Sequence, residues 1–132
     1  MRPPDEPPRT TPRSAPLEIQ VSYRLGVPLI YVAGELDHDT AGRLRAAIDE
    51  ELADRPEALL LECSGLASVD SGGLSLLFET ARRFADGGWL GIVAPNENVR
   101  RLIDLTGLTE RDTVRVIDDL KEASAALAGP SV

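Results

Sequence analysis

Between Ala58 and Phe78 a short unbroken apolar run gives way, across one Asp, one Ser and two glycines, to an amphipathic stripe. Ala58-Leu59-Leu60-Leu61 offers no polar position, which fits a central strand covered on both faces. Leu74, Leu77, Phe78, Ala81 and Ala85 then recur at helical spacing. A buried strand that feeds a one-sided helix places the chain among α/β proteins, in which helices pack back onto a sheet. At the junction, Gly72 and Gly73 let the backbone turn sharply and leave helix N–H groups uncovered. Asp70 or Ser71 can cap those groups.

The rest of the chain extends this pattern. Leu17, Ile19, Val21 and Tyr23 alternate with polar residues, as in a half-buried strand. Gly26-Val27-Pro28 reads as a turn, and Leu29 to Ala33 as the hairpin partner. Gly34 to Thr40 reads as a loop, with Asp39 or Thr40 capping a helix that buries Ala41, Leu44, Ala47, Ile48 and Leu52 and ends before Pro56. Gly87-Gly88 stops the helix after the junction, and Trp89 to Ala94 is the next strand. A helix follows with Val99, Leu102, Ile103 and Leu105 inward, ended by Gly107. Val114 to Ile117 is a short edge strand, Asp118 caps a last helix through Leu127, and Gly129-Pro130 closes the fold. A hairpin followed by helix–strand units predicts a mixed sheet of four to five strands, with helices packed mainly on one face.

Residues 1–16 differ in kind. They hold Pro3, Pro4, Pro7, Pro8, Pro12 and Pro16 and only two apolar residues, Met1 and Ala15. Such a segment cannot offset its ordering entropy by burial and is expected to be a disordered tail. The folded domain is expected over 17–128. A net charge of −8 argues against unspecific nucleic-acid binding and favours a basic partner. No run approaches a membrane span, and the N-terminus lacks the apolar stretch of a secretory signal. Cys63 is the only cysteine, has an apolar flank and no activating neighbour in sequence, and reads as a buried thiol in a reducing compartment. The cytoplasm is the expected location.

Two clusters carry possible chemistry. At Asp70 to Gly73, capping explains the Asp and the Ser. A phosphate on Ser71 would add a charge of about −1.5 to −2 beside the positive end of the helix dipole and would spoil a close acidic or apolar contact. The second cluster is Asp37-His38-Asp39. With Asp70 it could supply carboxylates for magnesium, but capping and partner contact are the simpler roles, and no metal or other cofactor is expected. Arg82, Arg83, Arg100 and Arg101 read as solvated helix faces, and Trp89 and Phe78 as core.

The run from Leu59 to Leu74 resembles the core of STAS domains, the family of anti-sigma factor antagonists. Gly34-Glu35-Leu36-Asp37 is similar to the family's early loop, and Val99 to Leu108 to its later helix with a Gly-Leu end. The resemblance covers residues 17–128. It implies a binding protein without catalytic machinery. Its expected partner is an anti-sigma factor with serine kinase activity, which it binds so as to release a sigma factor. The resemblance also implies phosphorylation of a Ser or Thr in the Asp-Ser-[Ser/Thr]-Gly-Leu loop, reset by a serine phosphatase. The usual acceptor falls here on Gly72, which has no hydroxyl. Ser71 is then the expected acceptor. Ser68 or Ser75 in its place, or a constitutive binder with no acceptor, are the alternatives. Asp37, Asp39, Asp70, Ser71, Gly72 and Gly73 are the expected partner-binding residues. A scaffold or transport-associated subunit of the same fold, and a magnesium enzyme built on Asp37, Asp39 and Asp70, are the rival readings.

Overall fold

The computed structural model describes residues 17–84 and 87–128. The expected tail at 1–16, the contribution of Ala85 to its helix and the Gly129-Pro130 terminator lie outside these residues. Five strands form one sheet in the order β1-β2-β3-β4-β5. They are β1 (Glu18–Arg24), β2 (Val27–Leu36), β3 (Ala58–Val69), β4 (Trp89–Val93) and β5 (Val114–Ile117). β1 pairs antiparallel with β2, and every later pair is parallel. The helices are α1 (Ala41–Leu52), α2 (Ser71–Arg82), α3 (Glu97–Leu105) and α4 (Leu120–Ala128).

Strand order follows chain order, so three successive crossovers advance in one direction and place α1, α2 and α3 on one face. The larger core lies there, with Ile30, Leu59, Leu61 and Ile92 of the sheet against Leu44, Ile48, Leu76, Leu77, Val99 and Ile103. α4 comes after the last strand and covers the opposite face, where Ala123 meets Leu29, Leu60, Trp89 and Ile117. Leu59, Leu60 and Leu61 are each essentially inaccessible. That is why the run carries no polar position: its side chains alternate between two covered faces.

Several local expectations need correction. The hairpin turn is Leu25-Gly26, not Gly26-Val27-Pro28, with φ of 51° and 85° and Arg24 paired to Val27. Two left-handed residues in a two-residue loop match the right-handed twist of the strands they join. β1 is half-buried only at its start: Leu17 and Ile19 reach the core, but Val21 and Tyr23 are exposed. Both β2 and β3 run further than expected. Gly34 to Leu36, read as loop, belongs to β2, and Gly65 to Val69 belongs to β3. Their pairing survives two register shifts, between Tyr31 and Ala33 and between Gly34 and Glu35.

On α3 the inward positions are Val99, Ile103 and, in part, Leu102, whereas Leu105 is 78% exposed. At about 100° per residue, Leu105 stands well round the helix from the Val99–Ile103 stripe. On α2 the fully buried set is Gly73, Leu76, Leu77, Thr80 and Ala81, with Leu74 and Phe78 half-buried. The Thr80 hydroxyl donates to the Leu76 carbonyl at 2.8 Å, which satisfies it inside the core. Asp119, not Asp118, caps α4, accepting from Glu122 N at 2.8 Å.

Candidate functional site

The site is made by two strands ending together. Leu36, the last residue of β2, is in register with Val69, the last of β3. The segments that follow, 37–40 and 70–73, therefore leave the sheet side by side at the carboxyl end of the parallel strands. Asp70 N donates to Leu36 O at 3.0 Å and joins the two exits.

Asp70 is the N-cap of α2. Its Oδ1 accepts from Gly73 N at 3.0 Å, and its Oδ2 accepts from His38 N at 3.3 Å. The His38 ring stands over the same carboxylate, with Nδ1 at 3.5 Å from Oδ2. The Gly73 N–H, then those of His38 and Gly72 and the His38 ring, hold the Asp70 carboxyl below the usual aspartate range, although partial burial opposes them. One carboxylate thus caps a helix and pins the neighbouring loop.

The two glycines explain how close that loop lies. A Cβ on Gly72 would stand 2.6 Å from His38 Cβ and 2.7 Å from His38 Cα. A Cβ on Gly73 would stand 2.6 Å from Leu36 O. Neither residue has a positive φ. They are glycines because another segment's backbone occupies the space of a side chain.

Asp37 and Asp39 are brought to the same end but do different things. Asp37 Oδ1 accepts from Asp39 N and Thr40 N, each at 2.9 Å. Thr40 Oγ1 accepts from Asp37 N and donates to Glu35 O, also at 2.9 Å. Asp37 therefore builds its own loop and leads α1. Thr40 occupies the N-cap position of α1 without a side-chain cap bond, and the expected cap by Asp39 is absent. Asp39 projects outward with its side chain 82% exposed, beside His38 at 76%. Ser71, the first residue of α2, is exposed, as are Ser68 and Ser75. The carboxylates of the magnesium reading, Asp37, Asp39 and Asp70, are not gathered into one cluster. Among the described residues no three His, Cys, Asp or Glu side chains are placed to hold a metal ion. Asp37 is taken up in its turn, and Asp70 in the cap.

Two residues of this end have roles that the sequence does not show. Asn96 caps α3 by accepting from Val99 N at 2.8 Å and donates to Leu66 O at 3.1 Å. It ties α3 to the end of β3. His38, which in sequence stands only as the middle of the Asp37-His38-Asp39 cluster, supplies the backbone against which Gly72 packs. The Gly-Gly pair signals close approach in sequence but does not say what approaches. Elsewhere, burial pushes the Cys63 thiol up to about 12, so it is inert. Of the basic pairs, Arg83 bonds Asp49, and Arg100 lies near Asp104 and Asp118. An open hollow of about 740 Å³ between Leu52, Arg55, Arg83 and Gly87 lies at the far end of the strands.

A mixed sheet with three helices on one face, and an exposed capped loop at the carboxyl end of its strands, defines a class of α/β domain. Comparison with known families gives the class its name: the STAS domain model matches residues 18–123. The chain belongs to the STAS domain family, among its anti-sigma factor antagonists. It is 34% identical over 118 residues to the anti-sigma-F factor antagonist RsfB of Mycobacterium tuberculosis, covering 88% of this chain and 95% of that one. It is 32% identical over 94 residues to an anti-sigma F factor antagonist of Paenibacillus polymyxa, covering 70% and 80%. The crystal structure of an anti-sigma factor antagonist from Mycobacterium paratuberculosis superposes with a TM-score of 0.78 at 34% identity, over 88% of this chain and 99% of that one.

Proposed function

We propose that this chain binds an anti-sigma factor through the paired loops 37–40 and 70–73 and so frees a sigma factor. The observation that carries the reading is the Asp70 hub. It fixes two loops against each other while leaving Asp39, His38 and Ser71 facing outward. A preorganised surface loses less entropy on binding than a mobile one. The exposed carboxylates suit a basic partner surface and would speed encounter more than they add affinity. The partner is a kinase-type anti-sigma factor, which supplies any ATP chemistry. The chain itself is a binding regulator.

Ser71 is the proposed acceptor of a regulatory phosphate. It is exposed and sits at the start of a helix, where a phosphate is electrostatically tolerated, so modification would block the partner without unfolding the domain. A second reading is favoured by Gly72. Its packing on His38 leaves no room for a side chain at the position that resemblance makes the usual acceptor. The chain would then bind without being switched.

The test is titration calorimetry with a kinase-type anti-sigma factor from the same organism, followed by mass spectrometry after incubation with ATP. Binding is expected, with one phosphate on Ser71 and binding weakened roughly tenfold or more in Ser71→Asp, equivalent to about 1.4 kcal/mol. An unmodified chain that still binds would leave only the constitutive reading. Absence of binding to the wild-type chain would overturn the proposal.

A further inference from the structure

Among the described residues, β1 is an edge strand that lacks several of the usual protections. It is seven residues long and paired on one side only. Its sequence Glu18-Ile19-Gln20-Val21-Ser22-Tyr23-Arg24 contains no Pro and no Lys, and its pairing with β2 has no bulge. The described residues expose four large hydrophobics: Val21 at 41%, Tyr23 at 63%, Leu25 at 63% and Leu105 at 78%. All but Leu105 lie on β1 or its turn.

The hairpin decides which backbone groups face outward. A two-residue turn closes on a hydrogen-bonded pair, here Arg24 with Val27, and such pairs alternate along an antiparallel ladder. Ser22, Gln20 and Glu18 therefore spend their N–H and C=O groups on β2. Tyr23, Val21 and Ile19 present theirs to the free edge. Pro28 agrees with this phase: it has no N–H and stands opposite Tyr23, where β2 owes β1 none.

We propose that two copies of this chain pair through β1, antiparallel about a twofold axis at Val21, so that their sheets become continuous. The register follows from the sequence. Centred on Val21, the outward-facing pairs are Val21 with the partner's Val21 and Ile19 with the partner's Tyr23, each exchanging two hydrogen bonds. β-Branched and aromatic residues meet on the α1 side, and Glu18 meets the partner's Arg24 on the α4 side. Sliding by two residues keeps the backbone phase but shortens the overlap and replaces the ion pair with Glu18–Ser22 or Gln20–Arg24. Charge complementarity and the exposed apolar row thus select the same alignment. β5, at the other edge, is only four residues long and holds its Arg115 over Trp89 at 4.3 Å, a poorer template. The Asp70 end stays open in such a dimer, which would present two copies of the loop surface.

The experiment is sedimentation velocity on the full chain over a concentration series, with oxidative cross-linking of cysteine variants. The wild type is expected to shift with concentration toward twice its 14.2 kDa mass. Val21→Lys puts like charges across the axis and is expected to weaken dimerisation by roughly tenfold or more. Glu18→Arg alone should weaken it, and Glu18→Arg with Arg24→Glu should restore it, which a folding defect would not do. Val21→Cys should form a linked dimer, since facing Cα atoms at a hydrogen-bonded pair lie about 5.5 Å apart, within disulfide reach. Gln20→Cys should not, because its own copy lies diagonally away. A chain monomeric at every concentration, a dimer indifferent to Val21→Lys, or linkage through position 20 in preference to 21 would each overturn the proposal. None of these outcomes depends on whether the loop surface binds an anti-sigma factor.

Discussion

Gly72 decides more than any charged residue at the site. Its missing Cβ lets the His38 backbone lie against the start of α2, and the Asp70 carboxylate holds the two together. Gly72→Ser should therefore lower stability by about 1–3 kcal/mol, the usual range for overpacking against an unyielding neighbour. Urea denaturation measures it. Gly42→Ala is the control: that glycine has open space in α1, and the change should stabilise by up to about 1 kcal/mol. Asp70→Ala removes the N-cap and should cost about 0.5–2 kcal/mol. The pH dependence has a definite sign. The folded-state pKa of Asp70 is lowered, so its contribution is complete above the ordinary aspartate value and is lost as pH falls through the folded value. Acid melts should show wild type and Asp70→Asn converging at low pH. The Cys63 thiol, raised to about 12, should resist a thiol reagent at neutral pH until the protein is unfolded.

At the scale of elements, the site depends on the full length of β2 and β3. Both run past their expected ends, because Gly34, Gly65 and the polar residues near them look like loop in sequence. The pairing continues through register shifts, with Gly34 at φ 108° accommodating one of them. Had the strands stopped at Ala33 and Leu61, the 37–40 and 70–73 segments would have no reason to meet. α1 and α2 are clamped together by Arg45, whose guanidinium meets the Glu79 carboxylate through Nε at 3.1 Å and Nη2 at 3.0 Å. α3 is anchored by Asn96. Asn96→Ala removes a cap and a tie to β3 and should cost about 1 kcal/mol, measured by thermal unfolding. Hydrogen exchange should also rise at Val99 N, which loses its acceptor.

Across the whole molecule, the sheet separates two surfaces. The exposed loops stand at the carboxyl end of the parallel strands, and β1 is an edge strand of the described sheet. The first is the proposed partner surface, the second the proposed surface for another copy. No helix among the described residues is long and apolar enough to cross a membrane. The net charge of −8 gives association with a basic partner a strong dependence on salt. Raising ionic strength from about 0.05 to 0.5 M should slow the on-rate measurably while changing the off-rate less. Stopped-flow mixing with the anti-sigma factor would check it.

By itself, the order of residues established the fold class, the succession of strands and helices, the buried Leu59-Leu60-Leu61 strand and the Asp70 to Gly73 junction. Those features are written in local periodicity and turn chemistry, which neighbours in sequence report directly. Tertiary structure alone decided that His38 is Gly72's neighbour, that Asp37 is spent on its own turn while Asp39 is exposed, and that Leu105 and Val21 face solvent. These depend on the register between strands far apart in sequence and on which face each helix covers. A pattern of apolar residues constrains both but does not fix them, because a contact across the sheet has no local signature.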